Sequence, residues 1–174
     1  MNQKELNVIL EKHKMWINKE EGGKLADLSG LDLCNYDLKF VNLSYSNLSG
    51  VNLNNSNLSG AILTGANLSG ANLNNANLNN TNLSDTDLID VNLNGANLIW
   101  TKTDDVKGIK IRKVQFDTSR ENNVLSYWVD LNIWTTGCFQ GNKEELINSV
   151  IETHKDNEEL RNKYLKAITY LEEL

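Results

Sequence analysis

Residues 66–80 read ANLSGANLNNANLNN, three copies of one five-residue pattern laid end to end. Followed outward, the pattern places Leu28, Leu33, Leu38, Leu43, Leu48, Leu53, Leu58, Leu63, Leu68, Leu73, Leu78, Leu83, Leu88, Leu93 and Leu98 in one register. The residue before leucine is Asn or Asp in fourteen of these fifteen units, with Ile62 the exception. Two positions before leucine sits mostly a small or β-branched side chain, as at Ala61, Ala66, Ala71, Ala76 and Ala96. Two positions after it, twelve of the fifteen units carry Gly, Asn or Asp.

A spacing of five advances about 140° around an α-helix, so these leucines would scatter over every face and form no apolar stripe. In an uninterrupted strand an odd spacing sends alternate leucines to opposite sides, and one core cannot bury them all. A bend in every unit resolves the geometry, and Gly, Asn and Asp are the residues that accept left-handed or turn conformations. If each corner turns about 90°, four units close a square coil, and stacked coils rise about 4.8 Å each by strand-like pairing. Leucines and small side chains then point inward, and fifteen units make a rod of a little under four coils, roughly 20 Å long.

The pattern resembles the pentapeptide-repeat family, whose consensus of Ala, Asp or Asn, Leu and two variable residues is matched by ANLSG at 66–70, ANLNN at 71–75 and ANLNN at 76–80. The resemblance covers residues 26–100 and implies a right-handed quadrilateral β-helix. It also carries one functional alternative, since some members of that family mimic duplex DNA and bind type II topoisomerases such as DNA gyrase. Here residues 26–100 carry Asp27, Asp32, Asp37, Asp85, Asp87 and Asp90 against Lys39, and residues 41–84 hold no charged side chain. Duplex DNA bears one charge per about 1.7 Å of axis, so that neutral belt argues against mimicry.

Departures from the pattern mark the ends. Leu31 and Tyr36 fill the normally small inward position in the first coil, which calls for a docked N-terminal cap. Phe40, Tyr45 and Trp100 replace the turn residue. The plain expectation is that these rings pack beneath the caps. The alternative is that they meet a partner, together with Trp128 and Trp134 further along the chain. The column of residues after leucine on one side, Cys34, Asn54, Asn74 and Asn94, reads as a hydrogen-bonded ladder between coils.

Bare solenoid ends expose unpaired edges, so caps are required. In residues 3–18, Leu6, Ile9, Leu10, His13, Trp16 and Ile17 fall on one helical stripe, Asn2 and Glu5 have capping-box spacing, and Gly22 and Gly23 end the helix. His13 is read as a packed residue of that stripe rather than a ligand. After Trp100 the repeat dissolves. GIKIRKVQF at 108–116 reads as one strand, and the alternation of Leu125, Tyr127, Val129, Leu131 and Ile133 as a longer one. Two helices follow, with stripes Leu146, Ile147, Val150, Ile151 and Leu160, Tyr164, Ala167, Ile168, Leu171, started by Asn142 with Glu145 and by Asp156 with Glu159. Lys107, Lys110, Arg112 and Lys113 form a basic cluster flanked by Asp104, Asp105 and Asp117, which reads as a solvated strand.

The remaining composition narrows the function. A net charge of -6 argues against direct nucleic-acid binding, which needs a basic excess. No apolar run reaches the ~20 residues of a membrane span, and no secretory signal opens the chain, so cytoplasmic residence is expected. His13 and His154 lie on separate helices and Cys34 and Cys138 are far apart, read as free thiols. No spacing suggests a nucleophile, a metal or a phosphate loop. Asp85, Asp87 and Asp90 lack the glycine and glutamate of a calcium loop. The sequence thus predicts a mainly β chain with no catalytic, metal or cofactor residues. Its parts are a capping helix at 1–25, the β-helix at 26–103 and a small α+β module at 104–174. Its expected role is to present a rigid surface to a protein partner, with homodimerisation through the C-terminal module as a further option.

Overall fold

The computed structural model describes residues 1–115 and 124–174. Phe116 and Asp117, assigned above to a strand and its acidic flank, lie outside them. The chain divides into two compact units, Met1–Ile109 and Lys110–Leu174.

The first unit opens with α1, Gln3–Ile17. Its capping box is formed as the sequence predicts: the Glu5 backbone N–H donates to Asn2 Oδ1 at 3.0 Å, and the Asn2 N–H to Glu5 Oε2 at 2.9 Å. The stop differs from expectation. Glu20 N–H bonds Met15 C=O and Lys19 N–H bonds Trp16 C=O, the pairing of a Schellman motif, with Lys19 at φ 59° in the position usually held by glycine. Gly23 serves another purpose: a Cβ there would run into the Trp16 backbone, so only glycine lets the chain pass back along the helix.

From Asp27 onward, parallel bridges link residues twenty apart, beginning Asp27↔Asn47, Asp32↔Asn52, Asp37↔Asn57 and Asn42↔Ile62. Each is flanked by backbone bonds such as Leu53 N–H to Asn72 C=O at 2.8 Å and Asn72 N–H to Val51 C=O at 2.9 Å. Within a unit the residue three after each leucine bonds back to it, as Ala71 N–H does to Leu68 C=O. The residue in between has positive φ, the arrangement of a type II turn. Every fifth residue from Gly30 to Asp105 is left-handed, which is why Gly, Asn and Asp recur there. All fifteen leucines are at most 3% exposed, each stabilising the fold by about 1.5–3 kcal/mol through burial. Three buried hydroxyls among the small inward residues are satisfied by backbone carbonyls, Ser56 by Leu53, Thr81 by Leu58 and Thr86 by Leu83.

Two expectations for this unit change. Coiling does not end at Trp100, because Lys102 and Lys107 bridge to Asn82 and Asp87, and Thr103 takes the leucine position at 5% exposure. The side-chain ladder also runs two positions earlier than read. Asn52 Nδ2 donates to Asp32 Oδ1, Asn72 to Asn52 and Asn92 to Asn72, at 2.8–3.1 Å. Each Oδ1 also accepts the N–H two residues on, as from Asn54 and Asn74. One amide therefore holds its own turn and the next coil at once, which explains the Asn preference before leucine. The ladder has a direction. A carboxylate accepts but cannot donate, and Asp27, Asp32 and Asp37 all stand in the first coil, where no donation is needed.

The second unit is an antiparallel sheet with helices. Strands β1 (Ile111–Gln115), β2 (Val124–Trp128), β3 (Ile133–Thr136) and β4 (Phe139–Gly141) lie in that order. The longer strand expected from residue 125 to 133 is a hairpin, with Trp128 opposite Ile133. A 3-10 turn at Val129–Leu131 and left-handed Asn132 reverse the chain, and Asp130 Oδ2 accepts the Lys110 N–H. Helices α2 (Lys143–Thr153) and α3 (Glu158–Glu173) follow. Asn142 and Glu145 form the predicted box, whereas α3 is capped by Asn157, one residue later than read, through the Leu160 N–H. Leu125, Trp134, Leu146, Val150, Tyr164, Ala167, Ile168 and Leu171 make the core.

Candidate interaction surface

The basic residues are divided between the two units. Lys107 belongs to the coils of the first unit, and in the second unit Arg112 donates to the carbonyls of Leu171 and Glu172 at 2.8 and 3.0 Å, capping the C-terminus of α3. Trp128 and Trp134 are 1% and 0% exposed, and Trp134 stacks on Tyr127 at 4.2 Å, so neither ring offers a surface. Cys34 and Cys138 are free. Among the described residues no group of three or more His, Cys, Asp or Glu side chains is arranged to hold a metal ion. No helix among them is long and apolar enough to cross a membrane.

Phe40, Tyr45 and Trp100 behave differently. They sit at left-handed corners, φ 57°, 64° and 60°, where a bulky L-residue costs roughly 1–2 kcal/mol. They are nonetheless 76%, 59% and 41% exposed. Phe40 and Trp100 occupy the same corner of different coils, separated by Gly60 and Asn80 along the column. Tyr45 does meet the cap: its ring stands edge-on to Trp16 of α1 at 6.4 Å. Phe40 and Trp100 are more open than packing beneath a cap would leave them.

Around Tyr45 the cap and coils form a groove of about 550 Å³ lined by Trp16, Ile17, Lys19, Glu20, Gly23 and Tyr45. Behind it the helix is tied to the first coil. Tyr36 Oη donates to Met1 C=O at 2.7 Å, which accounts for a tyrosine in a small-residue position. His13 is fully buried, and its Nδ1 accepts the Ala26 N–H at 3.2 Å, so Nε2 carries the proton and faces Ser46 Oγ at 3.4 Å. Trp16 stacks on the imidazole at 5.8 Å. Sequence reading placed His13 and Trp16 on the apolar stripe of a helix. The groove itself left no signal, because it depends on where that helix docks.

The family described as "Pentapeptide repeats (8 copies)" matches this chain over residues 25–60, 37–75 and 66–102. No curated protein matches it. Among solved structures, a pentapeptide-repeat protein of the Arabidopsis thaliana thylakoid lumen is 31% identical over 47% of this chain and 61% of its own, with a TM-score of 0.42. One from the cyanobacterium Cyanothece is 41% identical over 47% and 60%, with a TM-score of 0.32. One from Nostoc is 30% identical over 49% and 71%, with a TM-score of 0.28. The chain thus spans 61% and 60% of the lengths of the first two. With matched repeats running from residue 25 to 102, the repeat segment of this chain belongs to the pentapeptide-repeat family.

Proposed function

We infer that the chain is a non-catalytic protein-interaction module. In this reading a right-handed quadrilateral solenoid of about four coils, capped by residues 1–25, holds a surface rigid for a protein partner, and residues 104–174 form a separate C-terminal module. The observation that carries it is the exposure of Phe40, Tyr45 and Trp100 at corners that favour glycine or asparagine. Strained residues left open to solvent are better explained by recognition than by folding, and aromatic rings in a charge-poor setting are the usual anchors of protein interfaces. The partner surface is expected to be equally poor in charge, because residues 41–84 carry none. The same belt argues against a DNA-mimicking gyrase binder.

The test replaces Phe40, Tyr45 and Trp100 together by asparagine, which accepts positive φ. A cross-linked partner captured by the wild type should be lost from this variant while its melting temperature is kept or raised. If the variant captures the same partner equally well, the aromatic surface is not the docking site. Dose-dependent inhibition of DNA supercoiling by the wild type would favour the topoisomerase reading instead.

A further inference from the structure

We propose that His13 is a proton-sensitive latch that holds the capping helix on the first coil and thereby forms or dissolves the Trp16–Tyr45 groove. The inference rests on the groove being the working surface only for its biological use; the latch itself follows from geometry within Met1–Ile109.

The Ala26 N–H points at His13 Nδ1, so that nitrogen must present its lone pair. A second proton would set a donor against a donor and place a cation in a site closed to water. The same ring faces Ser46 of the coil through Nε2 and stacks on Trp16, one wall of the groove. Losing the Ala26 bond therefore loosens the contact that positions Trp16 opposite Tyr45.

The surroundings supply nothing to stabilise the charged form. On α1 the neighbours one turn away, Ile9, Leu10, Trp16 and Ile17, are uncharged. The segment leading into the coils brings Lys24 and Asp27, and the Asp27 carboxylate is engaged by Ser29 and by the Asn47 amide. The coil contributes Ser46, Tyr45 and Asn47, all neutral. Burial accordingly lowers the His13 pKa below its ordinary 6.5. The sign follows: the undocked helix takes up a proton more readily than the docked one, so docking weakens as pH falls below about 6.5 and the loss levels off below the lowered value.

The experiment is amide hydrogen exchange on the full chain across pH 8 to 5, corrected for intrinsic rates, with ¹⁵N NMR of the imidazole. At pH 8 His13 should show the Nε2–H tautomer. On acidification the amides of α1 should lose protection by about tenfold per pH unit over the window between the two pKa values. The interior coil amides from Leu53 to Leu78 should keep theirs. The loss of α1 protection must begin near the ordinary histidine pKa and level off where the docked His13 itself titrates, and in His13→Gln, which keeps an acceptor without titrating, the pH dependence should vanish. Flat α1 protection, loss of cap and coils together, or an unchanged profile in H13Q would each overturn the latch. No partner enters the readout, so these results stand whether or not the docking surface is correct.

Discussion

The ring of Phe40 occupies the space that a side chain at Gly60 would need: a Cβ on Gly60 would lie 2.5 Å from Phe40 Cδ1 and Cε1. Tyr45 stands in the same relation to Gly65, with the hypothetical Cβ 2.6 Å from its Cδ1. Each of these two aromatic corners is thus paired with a glycine one coil on, and the pair must change together.

Gly60→Ala should destabilise the chain by about 1–3 kcal/mol, combining a left-handed φ of 69° with the clash against Phe40. In a Phe40→Asn background the clash disappears and only the backbone cost remains. Chemical denaturation of the four corners of this double-mutant cycle should give a coupling energy of about 0.5–3 kcal/mol.

The ladder's direction predicts an asymmetry. Asn72→Asp removes the donor to Asn52 Oδ1 and puts a carboxylate against that oxygen, costing about 1–3 kcal/mol at neutral pH. Asp32→Asn keeps the acceptor used by Asn52 and should be close to neutral. Thermal melts of the two variants, run side by side, decide the matter.

Asp27 offers a pH test of the same first coil. The Ser29 hydroxyl, followed by the Ser29 N–H, holds its carboxyl below the ordinary carboxylate range, with Asn47 and Lys24 adding to the effect. Its contribution to stability is present above the ordinary carboxylate pKa and is lost as pH falls through the lowered one. Carboxyl ¹³C titration should show the depressed midpoint, and Ser29→Ala should move it upward.

Arg112 anchors the second unit through two carbonyls at the end of α3. Arg112→Ala should cost about 1–3 kcal/mol, while Arg112→Lys recovers part of it as a single donor. Fraying of α3 in hydrogen exchange, with the coils unaffected, is the expected signature.

Features repeated in every unit were legible in the sequence, because each coil restates the same constraint. The leucine column, the left-handed corners and the Asn2–Glu5 and Asn142–Glu145 boxes could all be read from spacing. Features that depend on a choice between chemically similar neighbours were not. The ladder runs through Asn52 and Asn72 rather than Asn54 and Asn74, since both positions offer amides and the spacing alone does not say which of them pair. Asn157 rather than Asp156 caps α3 for the same reason, both being good N-caps. The alternation from Leu125 to Ile133 hid a reversal, because Asp130 and Asn132 are compatible with a polar strand face as well as with a turn. The groove between Trp16 and Tyr45 joins residues whose proximity is set by helix docking, which no local pattern records.

The central claim is that left-handed corners every five residues wind the chain so that positions twenty apart pair in parallel around a leucine column. The most direct measurement is a NOESY spectrum of the labelled full chain. The account predicts cross-peaks between coils at Asn52 and Asn72 and at Asn57 and Asn77, with left-handed φ at Asn55 and Asn75. Sequential helical contacts through residues 50–80, or cross-peaks at any other register, would contradict it.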